Sequence, residues 1–535
     1  MGVKPQRLLS WCLVSVLSLG TLIAASDDLS LVNAVRGGNR EAVRSLLQAQ
    51  ADVNESQADG TTALAWAVHR DDLETAGLLI RAGASVNAAT VYRVTPLSLA
   101  CANRNAAMIE TLLAAGANPN VAQVTGETPL MSCARTGNVE AVKSLLARGA
   151  LGNAREAKGQ TALMWSAAQK HADVVGALIE GGADVNARSE VVELPAPMRA
   201  VTYTKDVHFP RFAGGFTALM FAARVGDVDS ARILVEAGAN INDTPQADGI
   251  GDGSPLVIAT ASGHEELALF LLERGASPNA ADGYGITALH WALMGGIRAL
   301  AGGGSSPTDR FWFHANMPAL VKALLTRGAN PNAQIANDFP PYDNLLFGHT
   351  LGNNLPQISL VGATPFFLAS ASGEVGTMRL LVEVRGDPKL VTVDDTNPLM
   401  VAAGVGTERG DRTEQDRKNA LEAAKVALML GADVNAVNRE GRTALHAAAA
   451  LGDVEMIRLL AKNGADLEAK DLYGQTPLSI ALGDPEGLIY RQLPGDAHDY
   501  RFRQPRPGGQ KEIAELLLQL GARPFTGKYR DRSGE

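Results

Sequence analysis

Eleven glycines recur along the chain, each closing a Leu-rich helical stretch: Gly83, Gly116, Gly149, Gly182, Gly238, Gly275, Gly328, Gly386, Gly431, Gly464 and Gly521. The first four lie 33 residues apart, as do Gly431 and Gly464, and ten of the eleven are followed by Ala. The words around them return too, as in "GADVNA" at 182–187 and 431–436 or "GANPN" at 116–120 and 328–332. A fixed period of this length describes a stack of small units, each burying its apolar face on its neighbours. It excludes a single globular core.

Between successive glycines the chain repeats one plan: a polar stretch, a Thr-Ala-Leu or Thr-Pro-Leu opening, a helix of small residues, a break, and a Leu-rich helix. The openings begin at Thr62, Thr95, Thr128, Thr161, Thr217, Ser254, Thr287, Thr364, Asn397, Thr443 and Thr476. Each of these side chains carries an oxygen that can accept from an orphan N–H at a helix start, and Pro follows where its missing N–H costs nothing. The closing Gly supplies the left-handed turn that ends the second helix.

These residues resemble the ankyrin repeat, whose pattern runs G-x-T-P-L-H-x-A-A, a Gly between two helices, then L-L and G-A-D-V-N-A. The stretch "GRTALHAAAALGDVEMIRLLAKNGADLEAKD" from Gly441 to Asp471 is nearly the family sentence. The resemblance covers roughly residues 29 to 524 as twelve repeats, the first degenerate because Gln50 stands where the closing Gly belongs, the ninth carrying Gly386-Asp387 instead of Gly-Ala. Those two units are expected to be the loosest. The expected fold is an all-α solenoid of helix-turn-helix units with short hairpin connections. About twelve units with helices packed about 8–10 Å apart give a curved rod on the order of 100 Å long.

The N-terminus reads as a targeting segment. Lys4 and Arg7 precede an apolar run from Leu8 to Ala25 that ends in small residues. Residues 1–25 therefore form a secretory signal peptide, 26–524 the solenoid, and 525–535 a C-terminal tail. The alternative is an uncleaved anchor over residues 8–25; both place the solenoid outside the cytosol, because the basic residues lie before the apolar run. Cys101 and Cys133 then remain. They fall on the inner helices of neighbouring repeats, where the inter-repeat spacing exceeds the reach of a disulfide, so two buried thiols are expected.

The net charge of −9 becomes −11 once Lys4 and Arg7 are removed (−9 − 2). No basic stripe offsets it, which argues against a nucleic-acid partner. No H-E-x-x-H, zinc-ligand spacing or Walker lysine occurs, so no catalytic, cofactor or metal residue is assigned. "ADGIGDG" at 247–253 is a lone acidic run without the repetition of a calcium-binding solenoid. Asn54-Glu55-Ser56 and Asn242-Asp243-Thr244 are glycosylation sequons only in a eukaryotic host. His290 and His446 match the His of the family opening, which implies a tether to the neighbouring turn, and His264 matches its inter-helix turn His.

Wider glycine intervals mark five insertions, near 191–214, 295–317, 335–359, 404–419 and 483–509. The first and third lie in the hairpins between repeats; the others separate the two helices of one repeat. Such loops are tolerated on the rims of a stack and often carry function. Two are rich in aromatics, with Tyr203, Phe209 and Phe212 in the first and Phe311, Trp312 and Phe313 in the second.

Trp66, Trp165 and Trp291 share one register, four residues after the capping Thr, and Phe221 shares it too. The family resemblance implies that this register faces the concave groove. Candidate partner-binding residues are therefore Trp66, Trp165, Phe221 and Trp291 on the inner helices, Tyr203 and Trp312 in the insertions, and Lys158, Arg439 and Glu440 at hairpin tips. The expected function is non-enzymatic: a monomeric scaffold gripping a protein through groove and loops, or alternatively a glycan through an aromatic ladder.

Overall fold

A computed structural model describes residues 30–193, 212–246, 252–293, 295, 314–337, 358–407, 413–472, 474–482 and 510–524. The signal segment, most of the insertions, Tyr203, Trp312, the start of the acidic run and the C-terminal tail lie outside these. The chain divides into two compact units: Met1–Cys133 with Ala147–Ala150, and Ala134–Leu146 with Leu151–Glu535.

Among the described residues helix follows helix in twelve pairs, from Ser30–Arg36 with Arg40–Gln48 to Pro477–Leu482 with Lys511–Gln519. The openings act as read from sequence. Thr62 accepts from the Ala65 N–H at 3.2 Å, Thr364 from Phe367 at 3.2 Å and Asn397 from Met400 at 2.8 Å. Inner helices are buried nearly all round and made of small residues, as in Ala63–His69 and Ala444–Leu451, whereas outer helices bury one stripe, such as Leu79 or Leu112. That asymmetry is what stacking requires, since an inner helix has a neighbour on both sides.

At the closing position the glycines adopt φ between +82° and +106° at Gly83, Gly149, Gly182 and Gly521, with nothing near the place a Cβ would take. A side chain there meets only the intrinsic left-handed cost of about 1–2 kcal/mol. Gln50 accordingly takes φ +60°. The ninth repeat corrects the sequence reading: Arg385, at φ +70°, occupies the closing position and Gly386 stands in the place of Ala, donating to the Leu381 carbonyl at 2.7 Å.

The Asn found four residues after the closing position in most repeats spans the junction to the next. In the first unit Asn54, Asn87 and Asn120 donate to the carbonyls of Gly83, Gly116 and Gly149; in the second, Asn153, Asn242 and Asn435 donate to Gly182, Gly275 and Gly464. The same amides accept from the backbone two residues further on, Ser85 to Asn54 at 2.7 Å and Ser277 to Asn242 at 2.7 Å. Asn54 and Asn242, the two sequon asparagines, are thus spent on stacking. With Arg385 closing the ninth repeat, the Asn place falls on Lys389, an ammonium that cannot accept from the next backbone.

A disulfide joins Cys101 and Cys133, with Cα atoms 4.6 Å apart. The expectation of two free thiols is therefore overturned. The two cysteines are 32 residues apart, not 33. That offset of one turns Cys101 and Cys133 toward each other from adjacent helices. Axes about 9 Å apart, less two Cα radii of about 2.3 Å, leave about 4.5 Å between facing backbones.

Four insertions are closed at their bases. Val191–Glu193 (β1) and Phe212–Gly214 (β2) pair antiparallel with Val191 opposite Gly214, a short ribbon added to the otherwise helical fold. Met317 donates to Ala292 at 2.9 Å, Gly362 to Ile335 at 2.8 Å and Gln510 to Ala481 at 2.7 Å. These four insertions leave and re-enter the repeat at adjacent points, so the frame continues past them. The remaining one, near 404–419, is only partly a loop: residues 414–419 belong to the 16-residue helix Glu414–Met429, capped by Thr413 and Asp416, where other outer helices run 9 residues.

Candidate functional site

The inner-helix register singled out by its aromatics splits by burial. Trp66 in the first unit, and Trp165 and Phe221 in the second, are half-buried. Trp291 departs from them: it is 4% exposed, and its indole N–H has no partner among the described residues. Ile258, Leu368 and Val401 in the same register are buried as well. The open part of the aromatic row within the second unit is Trp165 and Phe221, on the adjacent helices Ala162–Ala168 and Ala218–Val225.

Each half-buried Trp is held from two sides. The Trp66 indole N–H donates to the Gln57 side chain at 3.1 Å, and the Arg36 guanidinium carbon sits 5.2 Å from its ring centroid. Trp165 repeats this: its indole N–H donates to Gln160 at 2.8 Å, and Arg135 lies 5.0 Å over the ring. In both cases the Arg precedes the Trp by 30 residues, three less than the period. An Arg one turn beyond the aromatic register in one repeat therefore lies over the ring of the next. Phe221 packs at 6.0 Å against Phe216, over which Arg224 stands at 4.5 Å. Such cation–π contacts are worth about 0.5–2 kcal/mol each and fix ring orientation. The sequence carries this signal as an Arg–Trp pair at constant spacing, seen only when the registers of successive repeats are compared.

The hairpin candidates serve the stack with their backbones and solvent with their side chains. The Lys158 carbonyl accepts from Glu190 at 2.8 Å, Arg439 donates to Asp394 at 2.8 Å, and Leu472 donates to the Glu440 carbonyl at 2.8 Å. Lys158 and Arg439 are exposed; Arg439 lies 3.9 Å from Asp395, and Glu440 pairs with Arg442 at 3.2 Å.

The histidines act as tethers. In His290, Nε2 donates to the Ala333 carbonyl at 3.1 Å, so Nδ1 accepts from the Thr287 N–H at 3.2 Å; His446 does the same between Gln475 and Thr443. Burial pushes the His290 pKa down to about 4 and lowers that of His446. Both rings are neutral donors to structure. His171 and His264 reach the carbonyls of Arg135 and Arg224 at 3.1 Å, filling the space where a Cβ on Gly137 or Gly226 would stand. Among the described residues no group of three or more His, Cys, Asp or Glu is arranged to hold a metal ion, and no helix is long and apolar enough to cross a membrane.

Stacked helix pairs and tip-linked hairpins define a repeat solenoid. Comparison with known proteins agrees. The family described as Ankyrin repeats (3 copies) matches residues 31–123, 115–189 and 416–489, Ankyrin repeats (many copies) matches 256–299, and Ankyrin repeat matches 214–244. The chain belongs to the ankyrin-repeat family, a fold that typically serves as a non-enzymatic interaction domain and generally mediates protein–protein contacts. It is similar to the human ankyrin repeat and SOCS box protein 16, at 29% identity over 59% of this chain and 68% of that protein. It is 27% identical to the E3 ubiquitin-protein ligase KEG of Arabidopsis thaliana over 50% of this chain. It is also 24% identical to the mouse B-cell lymphoma 3 protein homolog over 43%. These alignments span 16% of the ligase and 39% of the mouse protein. Among solved structures, the human ASB11 ankyrin repeat domain matches at 24% identity and TM-score 0.37, covering 46% of this chain and 97% of that domain.

Proposed function

We propose that this chain is an exported, monomeric binding scaffold that grips another protein through its inner-helix face, with hairpin tips and insertions adding contacts. The observation that carries the reading is the pair Trp165 and Phe221: two half-exposed rings on adjacent inner helices, each fixed by neighbours before any partner arrives. Rigid aromatics are efficient anchors, because they bring large apolar area and lose few rotamers on binding. A glycan platform needs an open indole face, and the guanidinium over Trp165 covers one, which favours a protein over a sugar. A negative chain with no basic stripe is a poor partner for nucleic acid.

Export is supported by the Cys101–Cys133 disulfide, since such bonds persist in oxidising compartments. N-terminal sequencing of mature protein tests it, the expected first residue being Ser26. The binding surface is tested with a photo-crosslinking residue at Phe221, or at exposed Lys322 on the outer helix Pro318–Thr326. A defined adduct from Phe221 alone is expected; equal adducts from both positions would oppose the reading.

A further inference from the structure

Among the described residues, the first unit pairs three arginines on or beside its outer helices with carboxylates and leaves Arg36 and Arg70, on its inner helices, without one. Arg40 meets Asp72 at 2.8 Å and Glu74 at 2.9 Å, Arg44 meets Glu74 at 2.5 Å, and Arg148 meets Glu110 at 3.0 Å. Among the described residues neither Arg36 nor Arg70 has a carboxylate partner. Arg36 ends the inner helix Ser30–Arg36 and lies over the Trp66 ring; Arg70 caps the next, Ala63–His69, and donates to the Arg36 carbonyl at 3.0 Å. His69 stands edge-on to Trp66 at 5.6 Å, and Arg36, His69 and Arg70 are all exposed.

We propose that Arg36, Trp66, His69 and Arg70 form a recognition spot for an acidic segment of a partner protein, in which an Asp or Glu carboxylate sits between the guanidiniums and an adjacent apolar side chain packs on Trp66. A guanidinium laid on an indole keeps its N–H edge free, and that planar fork matches a carboxylate in bidentate fashion. Stacking has already restricted the Arg36 rotamers, so little ordering is lost on binding. The charge is complementary in the required sense: two cations with no ion-paired carboxylate among the described residues stand beside an aromatic surface, whereas Arg40, Arg44 and Arg148 of the same unit are each paired with a carboxylate. The second unit lays Arg135 over Trp165 at the same spacing, so the motif is a repeated element of the chain. This inference rests on the inner face being the protein-binding face.

The test uses the chain from residue 26 onward and a dye-labelled octapeptide of six glutamates and two leucines, read by fluorescence anisotropy. The same peptide with glutamine for glutamate, and heparin, serve as competitors. Saturable binding that weakens at least tenfold between about 50 and 300 mM salt is expected, together with a tenfold or larger loss in Arg36→Gln and no change in Arg81→Gln on the outer helix. Arg36→Lys keeps charge and fold but not the stacked fork, and is expected to lose binding as well. Equal binding of the glutamine peptide, no saturable binding, or unchanged affinity in Arg36→Gln would overturn the proposal. Heparin displacing the peptide and binding more tightly through Arg36 would overturn the protein source. The Phe221 crosslink is independent of this spot, so its persistence with a failed peptide titration rejects the acidic-segment inference alone.

Discussion

Opening the Cys101–Cys133 disulfide is expected to cost the first unit a large part of its stability. The bond closes a loop of 32 residues. Chain-entropy reasoning gives an unfolded-state penalty of about 12.4 cal/mol/K for a loop of that length, or about 3.7 kcal/mol at 25 °C. Both sulfurs are fully buried between inner helices, so reduction also leaves two thiols packed where one bond lay. With a urea dependence of about 2–3 kcal/mol/M, the transition of this unit moves down by about 1–2 M on reduction. The assay is urea unfolding of the mature chain with and without reductant. Trp66→Phe identifies the Trp66 contribution to the fluorescence change, and Cys101→Ala/Cys133→Ala serves as a second route to the open state. The oxidised wild type should unfold latest, and reductant should leave the double variant unmoved. Free thiols in peptide maps of non-reduced protein, or identical midpoints with and without reductant, would refute the packing argument that brings the two helices within bonding distance.

Replacing Asn242 by Ala removes two junction hydrogen bonds and should cost about 1–3 kcal/mol, measured as a shift in chemical unfolding. His290, neutral when folded with a pKa of about 4 and near 6.5 when unfolded, favours the folded state fully above pH 6.5. That stability falls by about 3 kcal/mol as pH drops from 6.5 to 4, and His290→Gln should flatten this part of the stability–pH curve. Hydrogen exchange should be fastest, among the junctions of the second unit, between the ninth and tenth repeats, where Lys389 replaces the bridging Asn; Lys389→Asn should slow it.

The sequence period, the capping Thr, Ser and Asn residues and the His tethers made the solenoid legible, because each is a local chemical requirement repeated many times. The disulfide was not legible from a spacing of one repeat alone, since facing is decided by a one-residue offset on adjacent helices. The ninth repeat misread as Gly386-Asp387 for the same reason: a glycine was taken as the turn, whereas the hydrogen bonds place Arg385 there. The aromatic register was visible, but its exposure was not, and Trp291 is buried where Trp165 is half-open. The guanidiniums over Trp66 and Trp165 belong to preceding repeats, so they emerge only when two helices are set side by side. The insertions showed as length; the β-ribbon at Val191–Gly214 and the added helical turns at 414–419 depended on pairing and capping beyond the repeat pattern.

Binding through the inner-helix face is tested most directly with the partner identified by the Phe221 crosslink, measuring its affinity for wild type, Trp165→Ala/Phe221→Ala, and Lys158→Ala/Arg439→Ala/Glu440→Ala. The aromatic pair should weaken binding by at least two orders of magnitude, about 2.7 kcal/mol or more, with circular dichroism unchanged, and the hairpin triple by less. Undiminished affinity in a folded aromatic double variant would contradict the inner face as the binding surface.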